Sequence, residues 1–304
     1  MDVNEILRKV KIIFVGDSLQ LPAVCHHVVD SDSVCNICRI NRSTLWPLAA
    51  RHLLTTVVRQ ANDPPYLDFL RIIRSRKPTQ AEIDFALSEC FCTPERVAEM
   101  LCSEGSTFQV LTSHLDLAAM YNDALLANSF PDQPIIEVPL HSKTTDVNFD
   151  AVSAWLHDSK FYTLPAVKIG VRVILCENLD LSVHAHNGAT GIVQSVHYRV
   201  CGILNKIVVQ LDSGATIQVM RTKLDTCYVG QFKYYKTTFP LNLASAMTGH
   251  RCQGATFSSM ILIHVSEAFC PGMLYVMLSR VTERQYLRVC GRFTPDDFVP
   301  VPPM

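Results

Sequence analysis

Four short segments of this sequence carry side chains able to do chemistry on a charged ligand. In GDSLQLPAV (Gly16 to Val24), Asp17 and Gln20 place a carboxylate and an amide directly behind an apolar run. A polar turn at the C-terminal end of a parallel strand faces the edge where α/β sheets bind ligands. In AMTGHRCQGATF (Ala246 to Phe257), His250, Arg251, Gln253 and Thr256 supply donors, and Gly249 and Gly254 free backbone N–H groups to approach a phosphate. On chemistry alone that segment is equally a decorated loop between a helix and a strand. Arg280 follows Ser279 at the end of the stripe in LYVMLSRVT (Leu274 to Thr282), and Arg59 ends the apolar run in LLTTVVRQ (Leu53 to Gln60). Either arginine alone has a plainer role open to it, since a cation at a helix C-terminus complements the helix dipole.

The elements that must position these groups have an alternating α/β pattern. KIIFVGD (Lys11 to Asp17) is a continuous apolar run of the kind expected for a parallel strand buried on both faces. FQVLTS (Phe108 to Ser113) predicts a second strand, and LDLAAMYNDALLA behind it predicts a helix with Leu115, Ala118, Ala119 and Leu125 on one face. SSMILIHV (Ser258 to Val265) predicts a third strand, GMLYVMLSRV a helix that buries Leu274, Met277, Leu278 and Val281, and YLRVCG a closing strand. From about Lys168 to Tyr235 the character changes. There the turn signals Asn187-Gly188 and Asp212-Ser213-Gly214 separate strands such as ATIQVM, in which Ala215, Ile217 and Val219 alternate with polar neighbours and Met220. These are antiparallel hairpins with one buried face, expected as a small β-barrel inserted into an α/β domain.

With 304 residues the chain is expected to fold as about two domains, and a 48% hydrophobic, 18% charged composition predicts a globular protein. No apolar run reaches a bilayer-spanning length and MDVNEILRKV lacks a signal-peptide core, so an intracellular protein without a membrane is expected. Twelve scattered cysteines fit reduced thiols, and a net charge of −1 confines any nucleic-acid site to a local groove. The cations Arg51, Arg59, Arg71, Arg74, Arg76 and Lys77 facing Asp63 and Asp68 read as a solvated helix face. Cys25, His26, His27, Cys35 and Cys38 include one zinc-like C-x-x-C, but no second pair follows, so a reduced loop and no metal site are expected. Trp46, Trp155 and the tyrosines are expected in the core or at its rim.

Taken in order, GDxxQLP, V-R-Q, the VKIGVRVILCENL and NGATGIV segment, FPLNLASAMTGHRCQGATF and YVMLSRVT resemble the Pif/RecD-type DNA helicases, in particular their divergent eukaryotic and Helitron-like members. The resemblance runs from about Lys11 to Val289. It implies a RecA-like parallel-sheet domain, the second of two motor domains, at residues 51–165 and 236–304. An SH3-like β subdomain would occupy 166–235, and a remnant of the first RecA-like domain 1–50. It further implies ATP between the two domains, with Mg²⁺, and single-stranded DNA across both, stepped 5′ to 3′ by a monomer in the nucleus or mitochondrion. Asp17 and Gln20 resemble the motif that senses the terminal phosphate, and Arg59 and Arg280 the two arginine fingers, whose planar, permanently charged forks suit redistributing phosphoryl charge. Gln253 and Gly254 resemble the link between nucleotide and DNA, with His250, Arg251 and Thr256 on the DNA side, and Thr112 and Ser113 match a DNA-phosphate position. This chain has Arg251 where such helicases mostly have lysine, and Cys252 where they have a small residue.

A motor of this kind also needs G-x-x-x-x-G-K-[ST] to cradle phosphates and an acidic pair to orient Mg²⁺. The sequence contains no Gly-Lys and no Asp-Glu dipeptide, and Met1 falls just after where the acidic motif would lie. The expectation is therefore a fragment or truncated relic that does not hydrolyse ATP unaided. A non-enzymatic single-stranded-DNA-binding remnant and a transposon-derived interaction fragment are the alternatives.

Overall fold

The computed structural model describes residues 13–17, 20, 46–50, 52–103, 109–138, 141–143, 164–229, 232–265 and 270–301. Helices α1 (Pro64–Ser75) and α2 (Gln80–Leu87) precede strand β1 (Phe91–Cys92), α3 (Pro94–Ser103) leads to β2 (Gln109–Thr112), and α4 (Leu115–Asn128) follows. A strand-rich stretch comprises β3 (Ile136–Glu137), β4 (His141–Lys143), β5 (Ala166–Val167), β6 (Arg172–Leu175), β7 (Thr190–Tyr198), β8 (Leu204–Leu211), β9 (Thr216–Met220), β10 (Thr222–Val229), β11 (Phe232–Thr238) and β12 (Leu241–Leu243). The chain then forms β13 (Ala246–Thr248), β14 (Ile261–His264), α5 (Met273–Leu278) and β15 (Leu287–Cys290).

β1, β15, β14, β2 and β13 form one sheet in that order, and every pairing in it is parallel. Successive side chains leave a strand on opposite faces. Ile261 and Ile263 of β14 accordingly join Leu111, α1, α2 and α5 in one core, while Leu262 joins Val110, α3 and α4 in another. Strands covered on both faces must be apolar nearly throughout, which is why FQVLTS and SSMILIHV are legible, while YLRVCG alternates buried Leu287 and Val289 with half-buried Arg288 and Cys290. The result is an α/β, RecA-like arrangement, as the resemblance implies.

The helices against this sheet follow their sequences. Asp63 caps α1 by accepting from the Tyr66 N–H, prolines fill its first turn, and Tyr66, Phe69, Leu70 and Ile73 line its buried face. The expected Leu274, Met277 and Leu278 of α5, and Val281 just beyond its end, are all buried. For α4 the expectation needs correcting. Ala118 and Leu125 are buried with Tyr121 and Leu126, but Leu115 is 71% exposed and Ala119 is exposed as well. Ala119 lies about 100° around the axis from Ala118, and Leu115 opens the helix at the margin of the stripe.

Two further expectations are corrected. Ile13 to Asp17 form no strand, and Ile13 and Val15 are 83% and 89% exposed. A strand buried on both faces needs neighbours on both sides, and among the described residues none pairs with this run. The LLTTVV run before Arg59 is likewise no strand, with Leu53, Leu54 and Val58 exposed.

The hairpins expected between Lys168 and Tyr235 are present and antiparallel. β12, β6, β7, β8 and β9 form one sheet, and β10, β11 and β4 a second. Val219 is buried while Thr216, Gln218 and Met220 are exposed, as the alternation requires. Gly191 is demanded by close packing, since a Cβ there would lie within contact of the Gln210 carbonyl. Buried Lys168 ties this region to α4 by donating to the carbonyls of Ala127 and Ser129 at 3.1 and 2.9 Å, a cation at a helix C-terminus.

Candidate functional site

The turn that follows α5 is locked from below. Tyr66 donates its hydroxyl to the Leu278 carbonyl at 2.8 Å, and the buried Gln60 amide donates to the carbonyls of Ser279 at 3.0 Å and Val281 at 2.7 Å. On this platform the two arginines meet. Arg59 donates through Nη1 to the Ser279 carbonyl at 3.0 Å and through Nε to Thr256 Oγ1 at 2.9 Å. Arg280 donates through Nη2 to the Ser279 hydroxyl at 2.7 Å and through Nε to the Val276 carbonyl at 2.8 Å. One serine thus holds both guanidinium groups, from its carbonyl and from its hydroxyl.

Arg280 is only 2% exposed. Burial lowers the pKa of both groups, and the Arg59 charge is the next cause of the shift at Arg280. Arginine stays ionised in proteins, so the pair carries two positive charges at close quarters. Among the described residues neither guanidinium forms an ion pair with a carboxylate.

Above the pair, Gln20 donates its side-chain amide to Asp17 Oδ2 at 3.4 Å, and Gln253 donates to Gln20 Oε1 at 3.2 Å. Gly254, at φ +92°, turns the chain between Gln253 and Thr256 in a conformation that side chains disfavour. The loop is stitched to the arginine turn by the Phe257 N–H donating to the Arg280 carbonyl and the Thr282 N–H donating to the Phe257 carbonyl. Cys252 is fully buried beneath it and donates Sγ–H to the Gly249 carbonyl at 3.2 Å, and burial pushes its thiol up to about 12.

Six of the expected residues, Asp17, Gln20, Arg59, Gln253, Thr256 and Arg280, therefore come together, with Gly254 between two of them. The others lie at the C-terminal edge of the sheet. Thr112 is fully buried and donates its hydroxyl to the His114 carbonyl at 3.0 Å, and Ser113 is 1% exposed. The Gly249 N–H donates to the Thr112 carbonyl at 3.0 Å, joining this edge to the loop. His250 is half-buried, which lowers its pKa, and Arg251 is exposed and interacts with Cys176 beside β6. Sequence reasoning passed over Gln60, Arg74 and Tyr275. Gln60 had only its adjacency to Arg59 as a signal, and Arg74 was grouped with solvated cations. Arg71, Arg76 and Lys77 of that group do form exposed pairs with Asp68, Glu82 and Asp296. Arg74 instead contacts Asp17 at 2.8 Å.

Among the described residues no group of three or more His, Cys, Asp or Glu side chains is placed to hold a metal ion. Cys25, His26, His27, Cys35, Cys38, Arg51 and Trp155 lie outside the described residues.

No family model matches the chain. It is 26% identical over 288 residues to the ATP-dependent DNA helicase PIF1 of Homo sapiens, an alignment covering 92% of this chain and 40% of that protein. It is 25% identical over 298 residues to the ATP-dependent DNA helicase PIF6 of Trypanosoma brucei brucei, covering 91% of this chain and 36% of that protein. Among solved structures, Bacteroides Pif1 bound to ssDNA superposes with a TM-score of 0.61 at 27% identity, covering 81% of this chain and 53% of that one. Bacteroides Pif1 in complex with ADP-AlF3 and ssDNA superposes at 0.58 with 25% identity, over 81% of this chain and 53% of that one. The chain thus spans about two fifths of the length of the first of these curated relatives and about half of the solved chains. The homologues of this chain are Pif1 ATP-dependent DNA helicases.

Proposed function

We propose that this chain is the second motor half of an ATP-dependent DNA helicase, acting on single-stranded DNA in the 5′ to 3′ direction. The observation that carries this reading is the meeting of Arg59 and Arg280 on Ser279, directly below the Asp17–Gln20–Gln253 chain of hydrogen bonds. Two cations held only by carbonyl and hydroxyl oxygens fit the polyphosphate end of a nucleotide, because such a ligand would supply the missing negative charge. ATP, with Mg²⁺ beside it, supplies the free energy of hydrolysis when bound. Arg59 and Arg280 would orient and neutralise the terminal phosphates, and Gln20 and Gln253 would sense their presence. The Gly249–Phe257 loop would carry that information to the sheet edge at Thr112, Ser113, His250 and Arg251, where DNA is expected.

The division into a first-domain remnant (1–50), a second RecA-like domain (51–165 and 236–304) and an SH3-like insertion (166–235) belongs to the same proposal. So do a monomeric state and a nuclear or mitochondrial location. A second reading is a single-stranded-DNA-binding protein without hydrolysis, with Thr112, Ser113, His250 and Arg251 gathered at the C-terminal edge of the sheet. ATP hydrolysis by the gene product that carries this chain, measured with and without a single-stranded oligonucleotide, separates the two. Stimulated turnover supports the motor. Salt-dependent oligonucleotide binding with no turnover supports the second reading, and neither activity defeats both.

A further inference from the structure

Asp17 and Gln20 lie more than forty residues before α1 (Pro64–Ser75), the first helix packed on the sheet domain that Gln253 belongs to, so some contact must hold them there. Gln20 reaches that domain through one exposed amide contact with Gln253, at 3.2 Å. The Asp17 carboxylate makes a stronger one, accepting at Oδ1 from Arg74 Nη2 at 2.8 Å. Arg74 stands in the last turn of α1, and its guanidinium lies 5.7 Å from the ring centre of Tyr275 on α5. A ring face attracts a cation and leaves the fork free to hold a carboxylate. Arg74 Nε is buried and has no hydrogen-bond partner among the described residues, so the ring and the carboxylate are what fix the group. Tyr275 also adjoins the arginine pair. Its hydroxyl is raised in pKa, first by burial, and it senses the charges of Arg74, Asp17, Arg280 and Arg59 together.

We propose that Arg74 is a positioning residue: stacked on Tyr275, it seats Asp17, and with it Gln20, beside the Arg59–Arg280 pair, so that Gln20 can meet Gln253. This deepens the motor reading and rests on it for its purpose, but the seating itself needs neither nucleotide nor DNA. The Gln20 N–H, which donates to the Asp17 carbonyl at 3.2 Å, reports on it directly.

The test is hydrogen exchange at the Gln20 amide in this chain, compared with amides of β14 as an internal standard. Arg74→Ala is expected to speed exchange at Gln20 about 10-fold while β14 is unchanged, an effect of local opening only. Arg74→Lys should restore part of the protection, and Asp17→Asn should reproduce the Ala effect. The double variant should then be no faster than either single, because both remove one contact. In the gene product that hydrolyses ATP, Arg74→Ala should lower kcat about 10-fold with KM for ATP within about 2-fold. Unchanged exchange or additive single effects would overturn the seating role, and an unaltered kcat beside altered exchange would overturn its part in turnover. Normal seating effects in a protein that never hydrolyses ATP would instead count against the motor reading alone.

Discussion

The loop from Gly249 to Phe257 has one end on the sheet edge and the other on the arginine pair, and the two ends are built on opposite terms. At the edge several polar groups are closed on the protein itself: Thr112 on the His114 carbonyl, the Gly249 N–H on Thr112, and the Cys252 N–H and thiol on Thr248 and Gly249. At the other end two guanidinium groups rest on carbonyl and hydroxyl oxygens, and no carboxylate answers them among the described residues. A satisfied edge fixes geometry. Under the proposed function, the arginine end is where the phosphates of a nucleotide would supply the answering negative charge.

The sharpest way to break this contrast is Arg280→Ala in the gene product that carries the chain. Loss of an arginine that neutralises a transferring phosphoryl group lowers turnover by about 10³-fold or more. Affinity for a single-stranded oligonucleotide is expected to stay within about 2-fold, because the edge is untouched. Turnover that survives, or DNA binding that collapses with turnover intact, would remove the functional meaning of the pair. Steady-state hydrolysis and fluorescence anisotropy decide it.

Arg59 and its neighbour Gln60 sharpen the same contrast within two residues. Arg59 is half-buried and donates to Thr256 and the Ser279 carbonyl, whereas Gln60 is 4% exposed and closes two carbonyls of the Ser279–Val281 turn. Gln60→Ala leaves both carbonyls without this donor and should cost about 2–3 kcal/mol of stability. Arg59→Ala should cost much less stability but should lower turnover as Arg280→Ala does. Urea unfolding midpoints for the two variants, read beside their hydrolysis rates, should therefore diverge in opposite senses.

At the edge, Thr112→Val tests whether the hydroxyl is structural or a DNA ligand. Its bond to the His114 carbonyl is worth about 1 kcal/mol. A DNA-phosphate ligand at this edge predicts that loss in stability together with an affinity for a single-stranded oligonucleotide lowered by about 10-fold, the edge opening when DNA binds. The same loss in stability with affinity unchanged would leave the hydroxyl a structural group and take Thr112 out of the DNA site.

What could be read from the sequence follows the same division. The strands at Gln109–Thr112, Ile261–His264 and Leu287–Cys290 and the stripe of α5 were legible because burial on both faces, on one strand face or on one helical face dictates side-chain type directly. β1 and β13 were not, since runs of two and three residues have no period to detect. KIIFVGD carried the strand signal without a described partner to realise it. Arg59, Arg280 and the Gln20–Gln253 link were reached through the order of motifs rather than through any one of them. Arg74 was hidden because its partner, Asp17, is 57 positions away, and no local pattern separates it from Arg71 and Arg76.

Arg76 gives the smallest effect and a control for the whole contrast, because its pair with Glu82 joins the end of α1 to α2, outside both ends of the loop. Arg76 donates to both Glu82 oxygens, and with the Thr79 N–H and hydroxyl it holds the carboxyl down at about 2 from 4.5. A depressed folded pKa adds stability above the unfolded value and loses it as the pH falls toward the folded one. The native chain should therefore lose thermal stability between about pH 4.5 and 2 more steeply than Glu82→Gln does, and the two should run parallel above pH 5. The difference should be small, since the group is solvent-exposed and screened. It should leave the responses of Arg280→Ala and Thr112→Val at neutral pH unchanged. If Glu82→Gln altered hydrolysis or oligonucleotide binding, the two ends of the loop would not be the separate devices that their hydrogen bonds describe.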